Sequence, residues 1–126
     1  MEKIKKTTGT FSLHPRIRIH SGKEIAFGPG KADLLEHIVE TGSIGAAASR
    51  MGMSYMRAWS LVQAMNKCFK QPVVKAVRGG NRRGGAELTD IGRRVLDSYR
   101  RMERNSLKIA QPDWRAMQNF LRHESV

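Results

Sequence analysis

Apolar positions recur three and four apart at Leu34, Leu35, Ile38 and Val39, with Asp33, Glu36 and Glu40 opposite, which predicts an amphipathic helix over about 30–41 that Gly42 ends. Ser43 is a good N-cap for a short helix through Arg50, where Ala46, Ala47 and Ala48 permit close approach of a neighbour. Met51-Gly52-Met53 then reads as a turn. Ser54 caps a third helix that runs to about Phe69 with Ala58, Leu61, Val62, Met65 and Phe69 as its inward stripe. A short helix, a glycine-containing turn and a longer second helix make a helix-turn-helix.

Two stretches follow the period of a strand instead. Arg16-Ile17-Arg18-Ile19-His20 alternates, and Glu24-Ile25-Ala26-Phe27 follows across Ser21-Gly22-Lys23, so a hairpin is expected. Val73–Val77 and Ala86–Leu88 flank a glycine-rich basic loop, 78–85, as the two strands of a wing. Thr89 caps a fourth helix with Ile91, Val95, Ser98 and Met102 on one face and Leu96 and Tyr99 widening it. A break is expected near Gln111-Pro112, after which Asp113 caps a last short helix edged by Trp114, Met117, Phe120 and Leu121. The expected fold is mainly α with small β-hairpins, a winged helix-turn-helix over 16–105, preceded by a flexible basic arm, 1–15, and followed by a helical tail, 106–126.

Charge sharpens the picture. The chain of 126 residues carries a formal net charge of +12, yet its 11 acids are unevenly placed. Residues 41–86 contain none of them and hold Arg50, Arg57, Lys67, Lys70, Lys75, Arg78, Arg82 and Arg83, a concentration of positive field suited to phosphates. The size allows one domain with much surface per residue, so a dimer would add useful burial. No apolar run is long enough for a signal peptide or a membrane span, and the single Cys68 excludes an internal disulfide, so the cytoplasm is expected.

Other chemistry is thin. His37 and Glu40 stand at i and i+3 without further ligands, so no metal is expected. Cys68 reads as a small apolar residue, and the seven methionines as core filler. With no carboxylate pair, phosphate loop or nucleophile elbow, the chain reads as no enzyme, with no cofactor.

The run GPGKADLLEHIVETGSIGAAASRMGMSYMRAW, then VQAMN, then RGGNRRGGAELTDIGRRVL, resembles the N-terminal DNA-binding domain of the ModE family of molybdate-responsive regulators, related to the LysR type of winged helix. The resemblance covers about 16–104. It implies a winged helix-turn-helix of LysR/ModE type, a long C-terminal dimerisation helix, and duplex DNA and a second copy of the chain as partners. The oxyanion-binding domains into which family members continue have no counterpart in these 126 residues, so no molybdate binding is expected.

A recognition helix at about 54–69 places Ser54, Tyr55, Met56, Arg57, Trp59, Ser60 and Gln63 toward the major groove, with Arg57 suited to guanine. Ser43 at a helix start, and Arg78, Asn81, Arg82 and Arg83 on the wing, suit the backbone or minor groove. The dimer contact is expected at Ile91, Val95, Leu96, Tyr99, Met102, Trp114, Met117 and Leu121. These residues together point to a sequence-specific, homodimeric transcriptional regulator. Two other functions stay open: a sequence-independent nucleoid or RNA-binding protein, and a regulator sensing a small ligand or oxyanion.

Overall fold

The computed structural model describes residues 10–78 and 84–122. Along the chain run β1 (Ile19–Ser21), β2 (Glu24–Phe27), α1 (Pro29–Thr41), α2 (Ile44–Arg50), α3 (Tyr55–Cys68), β3 (Val74–Val77), β4 (Gly85–Leu88) and α4 (Asp90–Gln118). The strands form two separate antiparallel hairpins. In the first, pairing starts only at Ile19, opposite Phe27, and the register shifts immediately after it, so the expected strand from Arg16 is shorter than its alternation suggests.

Three helices start on hydroxyl caps. Ser43 accepts from the Ala46 amide at 3.0 Å, Ser54 from Arg57 at 3.1 Å and Thr89 from Gly92 at 2.9 Å. Thr89 also donates to the Pro72 carbonyl at 2.7 Å, so one hydroxyl starts α4 and fixes it to the segment entering β3. Gly92 completes that junction. A Cβ there would lie 2.1 Å from the Val73 carbonyl oxygen, so only glycine lets α4 come this close.

The core gathers Phe27, Leu34, Leu35, Ile38, Val62, Met65, Val73 and Tyr99, all fully enclosed. Phe27 sits edge-on to both Phe69 and Tyr99, with centroids 5.9 and 5.1 Å away. Asn66 serves the loop after α3: its Oδ1 accepts from the Val73 and Val74 amides at 2.8 and 3.2 Å, and its Nδ2 donates to the Val74 carbonyl at 3.2 Å. Arg100 binds α4 to α1, reaching Asp33 at 2.7 Å and Glu36 at 2.6 Å while holding Glu103 at 2.9 Å.

Several expectations change. Leu96 and Tyr99 do not widen an exposed stripe. They face the core of their own protomer, with 8% and 1% of their surface exposed, because α4 must close the open side of α1 and the first hairpin. No break occurs at Gln111-Pro112 and no separate helix begins at Asp113. Pro112 lies inside α4, which continues to Gln118; the proline ring removes one amide, that which would bond the Lys108 carbonyl, and the helix carries on past it. Cys68 is exposed at the end of α3. Of the methionines, Met65 is core, Met51 and Met53 are half-buried, and Met56, Met102 and Met117 are exposed, so "filler" describes only some of them.

Candidate nucleic-acid interface

The α2–turn–α3 unit is held by small residues and backbone bonds. Ala47, Ala48 and Ala58 are buried at its centre, where a larger side chain would push the helices apart. The turn closes through Gly52 at a φ of 66°, with the Met53 amide bonded to the Ala48 carbonyl at 3.0 Å. The wing joins this unit through the Asn66 side chain, as described above, and through main chain. The Ala86 amide donates to the Gly42 carbonyl at 2.9 Å, and Ser43 pairs with Gly85 as an isolated bridge. Within the wing the register is Val74 with Leu88, Lys75 with Glu87, Ala76 with Ala86 and Val77 with Gly85.

With about 100° of rotation per residue, Tyr55, Met56, Trp59, Ser60, Gln63 and Lys67 share one face of α3, roughly 140° wide, with Ala58 and Met65 on the far side. Tyr55, Met56 and Trp59 are 51, 62 and 40% exposed, which is high for large apolar side chains. Ser54 and Ser60 are exposed too, and Gln63 is half-buried. Tyr55 leans over α2, where a Cβ at Gly45 would meet its ring at 3.8 Å. Arg57 falls at the margin of this face, on the side turned to the first hairpin, and lines an open groove with Arg16, Arg18 and Lys31.

The acid-free stretch is partly neutralised from outside. Arg50 pairs with Glu40 at 2.6 Å and Lys75 with Glu87 at 3.3 Å. Arg57, Lys67, Lys70 and Arg78 make no ion pair among the described residues. Arg78 is exposed where β3 ends; Asn81, Arg82 and Arg83 lie outside the described residues. Ser43 acts as the cap of α2.

The surface expected to bind a second copy is also selective. Ile91, Val95 and Met102, with Ser98, border an apolar groove of about 280 Å³ whose other side is Ile19, Phe27 and Phe69. Ile109, absent from the expected set, lies on the same face of α4 and is 78% exposed. Trp114 and Leu121 are half-buried, and Met117 and Phe120 are 56 and 86% exposed. Arg16 and Arg18 were also absent from the expected set, although a signal was present: two residues apart, they can share one side of an extended segment.

No cluster of three potential metal ligands occurs among the described residues, and His37 Nδ1 stands 3.8 Å from Glu40. Nor is any helix among them long and apolar enough to cross a membrane.

Residues 31–93 match the model of the bacterial regulatory helix-turn-helix protein, lysR family. The chain is 44% identical over 82 residues to the molybdenum-pterin-binding protein MopB of Rhodobacter capsulatus, covering 65% of this chain and 30% of that protein. It is 38% identical over 88 residues to the molybdenum transport protein ModE of Azotobacter vinelandii, covering 70% of this chain and 33% of that one. It thus spans about a third of the length of these relatives. Among solved structures, the CbnR DBD–DNA complex aligns with a TM-score of 0.52 at 22% identity, over 74% of this chain and 97% of the other, a likeness of fold.

Proposed function

Because this chain belongs to the lysR family of bacterial regulatory helix-turn-helix proteins, we propose that it is a sequence-specific transcriptional regulator that binds duplex DNA as a homodimer. The observation that carries this reading is the face of α3: Tyr55, Met56 and Trp59 exposed together on a capped helix, within a stretch of chain, 41–86, that holds eight basic residues and no acid. A protein that bound phosphate alone would gain nothing from three large exposed apolar side chains at that place, whereas thymine methyls and sugar edges use them.

In this reading Tyr55, Met56, Trp59, Ser60 and Gln63 meet base edges in the major groove, and Arg57 contacts a base at the margin of the half-site. Ser54 and Ser43 start the two helices that approach the backbone. Arg78, with Asn81, Arg82 and Arg83, supplies wing contacts to phosphate or the minor groove. The reading unit is 16–105. The second copy docks on Ile91, Val95, Met102 and Ile109, extended by Trp114, Met117 and Leu121, since Met102, Ile109 and Met117 are exposed and apolar and the core covers Ile91 and Val95 only in part. These residues perform no catalysis and call for no cofactor. The names of the relatives concern molybdenum, but we assign no molybdate site to these residues.

Selection of bound fragments from genomic DNA, followed by affinity measurements on the selected duplex and on random duplex at one salt concentration, tests the reading. Specific binding should exceed random binding by at least about 10³-fold. Arg57→Ala should cost about 1–3 kcal/mol on the selected duplex and relax preference at one base pair. Equal affinity for all duplexes would favour a sequence-independent nucleoid protein instead.

A further inference from the structure

The groove beside α3 is built from parts that no helix-turn-helix requires. Arg16, Arg18 and Ile25 from the first hairpin and its approach form one wall, Gly28, Pro29, Gly30 and Lys31 at the start of α1 form the floor, and Met53, Arg57 and Leu61 form the other wall, around a volume of about 480 Å³. The lining holds four bases and no acid. The family match begins at residue 31, so the hairpin wall lies outside it.

Each base has a distinct situation. Lys31 is spent on the fold: its Nζ donates to the Ile25 and Ala26 carbonyls at 2.9 and 3.1 Å and so ties the hairpin to α1. Arg18 is brought in by Gly28, where an added Cβ would stand 3.5 Å from the Arg18 Cγ, so its stem rests on the start of α1. Arg16, Arg18 and Arg57 have no carboxylate partner among the described residues. No side chain caps the first-turn amides of α1, and no acid lies in that turn. Gathering these charges in one groove is unfavourable in the free protein, and the repulsion is relieved by an anion. Arg57 lines this groove and borders the face of α3 described above, so the groove adjoins that face.

We infer that this groove seats a backbone phosphate of the bound DNA strand, held chiefly by Arg16 and Arg18. The inference rests on the DNA-binding reading above and adds a contact to it. A phosphate contact carries no base information, so it sets affinity and register along the duplex while α3 sets preference.

The test uses the full chain, the selected duplex and a random duplex, with affinity measured from low to moderate salt. Arg16→Ala combined with Arg18→Ala should weaken binding to both duplexes by a similar factor and make the dependence of log affinity on log salt shallower by about one unit, near 0.9 for the one phosphate charge no longer neutralised. Arg16→Lys with Arg18→Lys should restore the slope. Lys108→Ala, which removes a charge from α4 away from the groove, should leave it unchanged. A double alanine variant with the wild-type slope overturns the inference while leaving the DNA-binding reading intact. If the wild type binds no duplex, both fall. Thermal shift with inorganic phosphate is the remaining arm: stabilisation of the wild type but not of the double alanine variant, together with an unaltered salt slope, would make the groove a free-oxyanion site and overturn its assignment to DNA.

Discussion

The Tyr99 hydroxyl on α4 donates to the Ile17 carbonyl at 2.6 Å, joining residues 82 positions apart. The bond anchors the segment entering the first hairpin to the last helix, and the ring fills the core against Phe27. Removing the hydroxyl alone, with Tyr99→Phe, should cost about 1 kcal/mol and leave the Ile17 carbonyl without that donor. Burial pushes the Tyr99 phenol above its ordinary range, helped by Glu103. The neutral form is therefore the one the fold prefers, so the stabilisation is complete below the ordinary phenol pKa of about 10 and is lost as pH rises through the raised folded value. Urea denaturation should show the gap between wild type and Tyr99→Phe constant at neutral pH and closing in that alkaline window.

Two glycines should respond oppositely to alanine. Gly92→Ala puts a methyl group 2.1 Å from the Val73 oxygen, where the obstacle is backbone, and should destabilise by about 1–3 kcal/mol or more, the penalty of overpacking. Gly45→Ala meets only the Tyr55 ring at 3.8 Å and should be neutral or stabilising by up to about 1 kcal/mol. Chemical denaturation of the two variants compares them directly.

Asn66→Ala deprives the Val73 and Val74 amides and the Val74 carbonyl of their side-chain partner together. A loss of about 1–3 kcal/mol is expected from the groups left unsatisfied. Since β3 starts there, DNA affinity should fall without any change in the preferred sequence, as read by binding to a panel of single-base operator variants.

Met102→Asp combined with Ile109→Asp should give a monomer by sedimentation at micromolar concentration and weaken operator binding, while the far-ultraviolet circular dichroism keeps its helical form. Both side chains are exposed in the protomer, so the fold does not depend on them. A double variant that still sediments as a dimer would move the interface elsewhere.

Pro112→Ala restores the amide missing from the last two turns of α4 and should raise helical stability by up to about 3 kcal/mol, seen as a higher midpoint in thermal circular dichroism. Micromolar molybdate should leave operator affinity unchanged in the wild type and in every variant.

The reading helix, the turn and the wing were legible because each announces itself locally. Ser43, Ser54 and Thr89 are caps with a fixed offset to the amides they serve, and Gly52 stands where a positive φ is needed. Tertiary partners were not legible. Nothing at Tyr99 distinguishes a core ring from an exposed one, since its helical stripe is apolar in either case. Nothing at Asn66 foretells three backbone bonds to a segment seven and eight residues on. Pro112 misled for a physical reason: proline disfavours a helix locally, but a long helix stabilised over many turns tolerates one missing bond. For the candidate DNA face, the charge pattern indicated the region, yet it hid that Arg50 and Lys75 are paired across its boundary and that Arg16 and Arg18 reach it from outside.

The wing meets the helix-turn-helix through the Ala86 amide and the Gly42 carbonyl, groups that every non-proline residue possesses. The separation between α3 and the wing is therefore written in this main-chain bond and in the Asn66 side chain, not in Tyr55, Met56 or Trp59. Substitutions across the exposed face of α3 can alter which bases are favoured while the distance from those bases to the flanking contact stays the same. Descendants of such a protein would drift in the letters of their operators and keep the spacing.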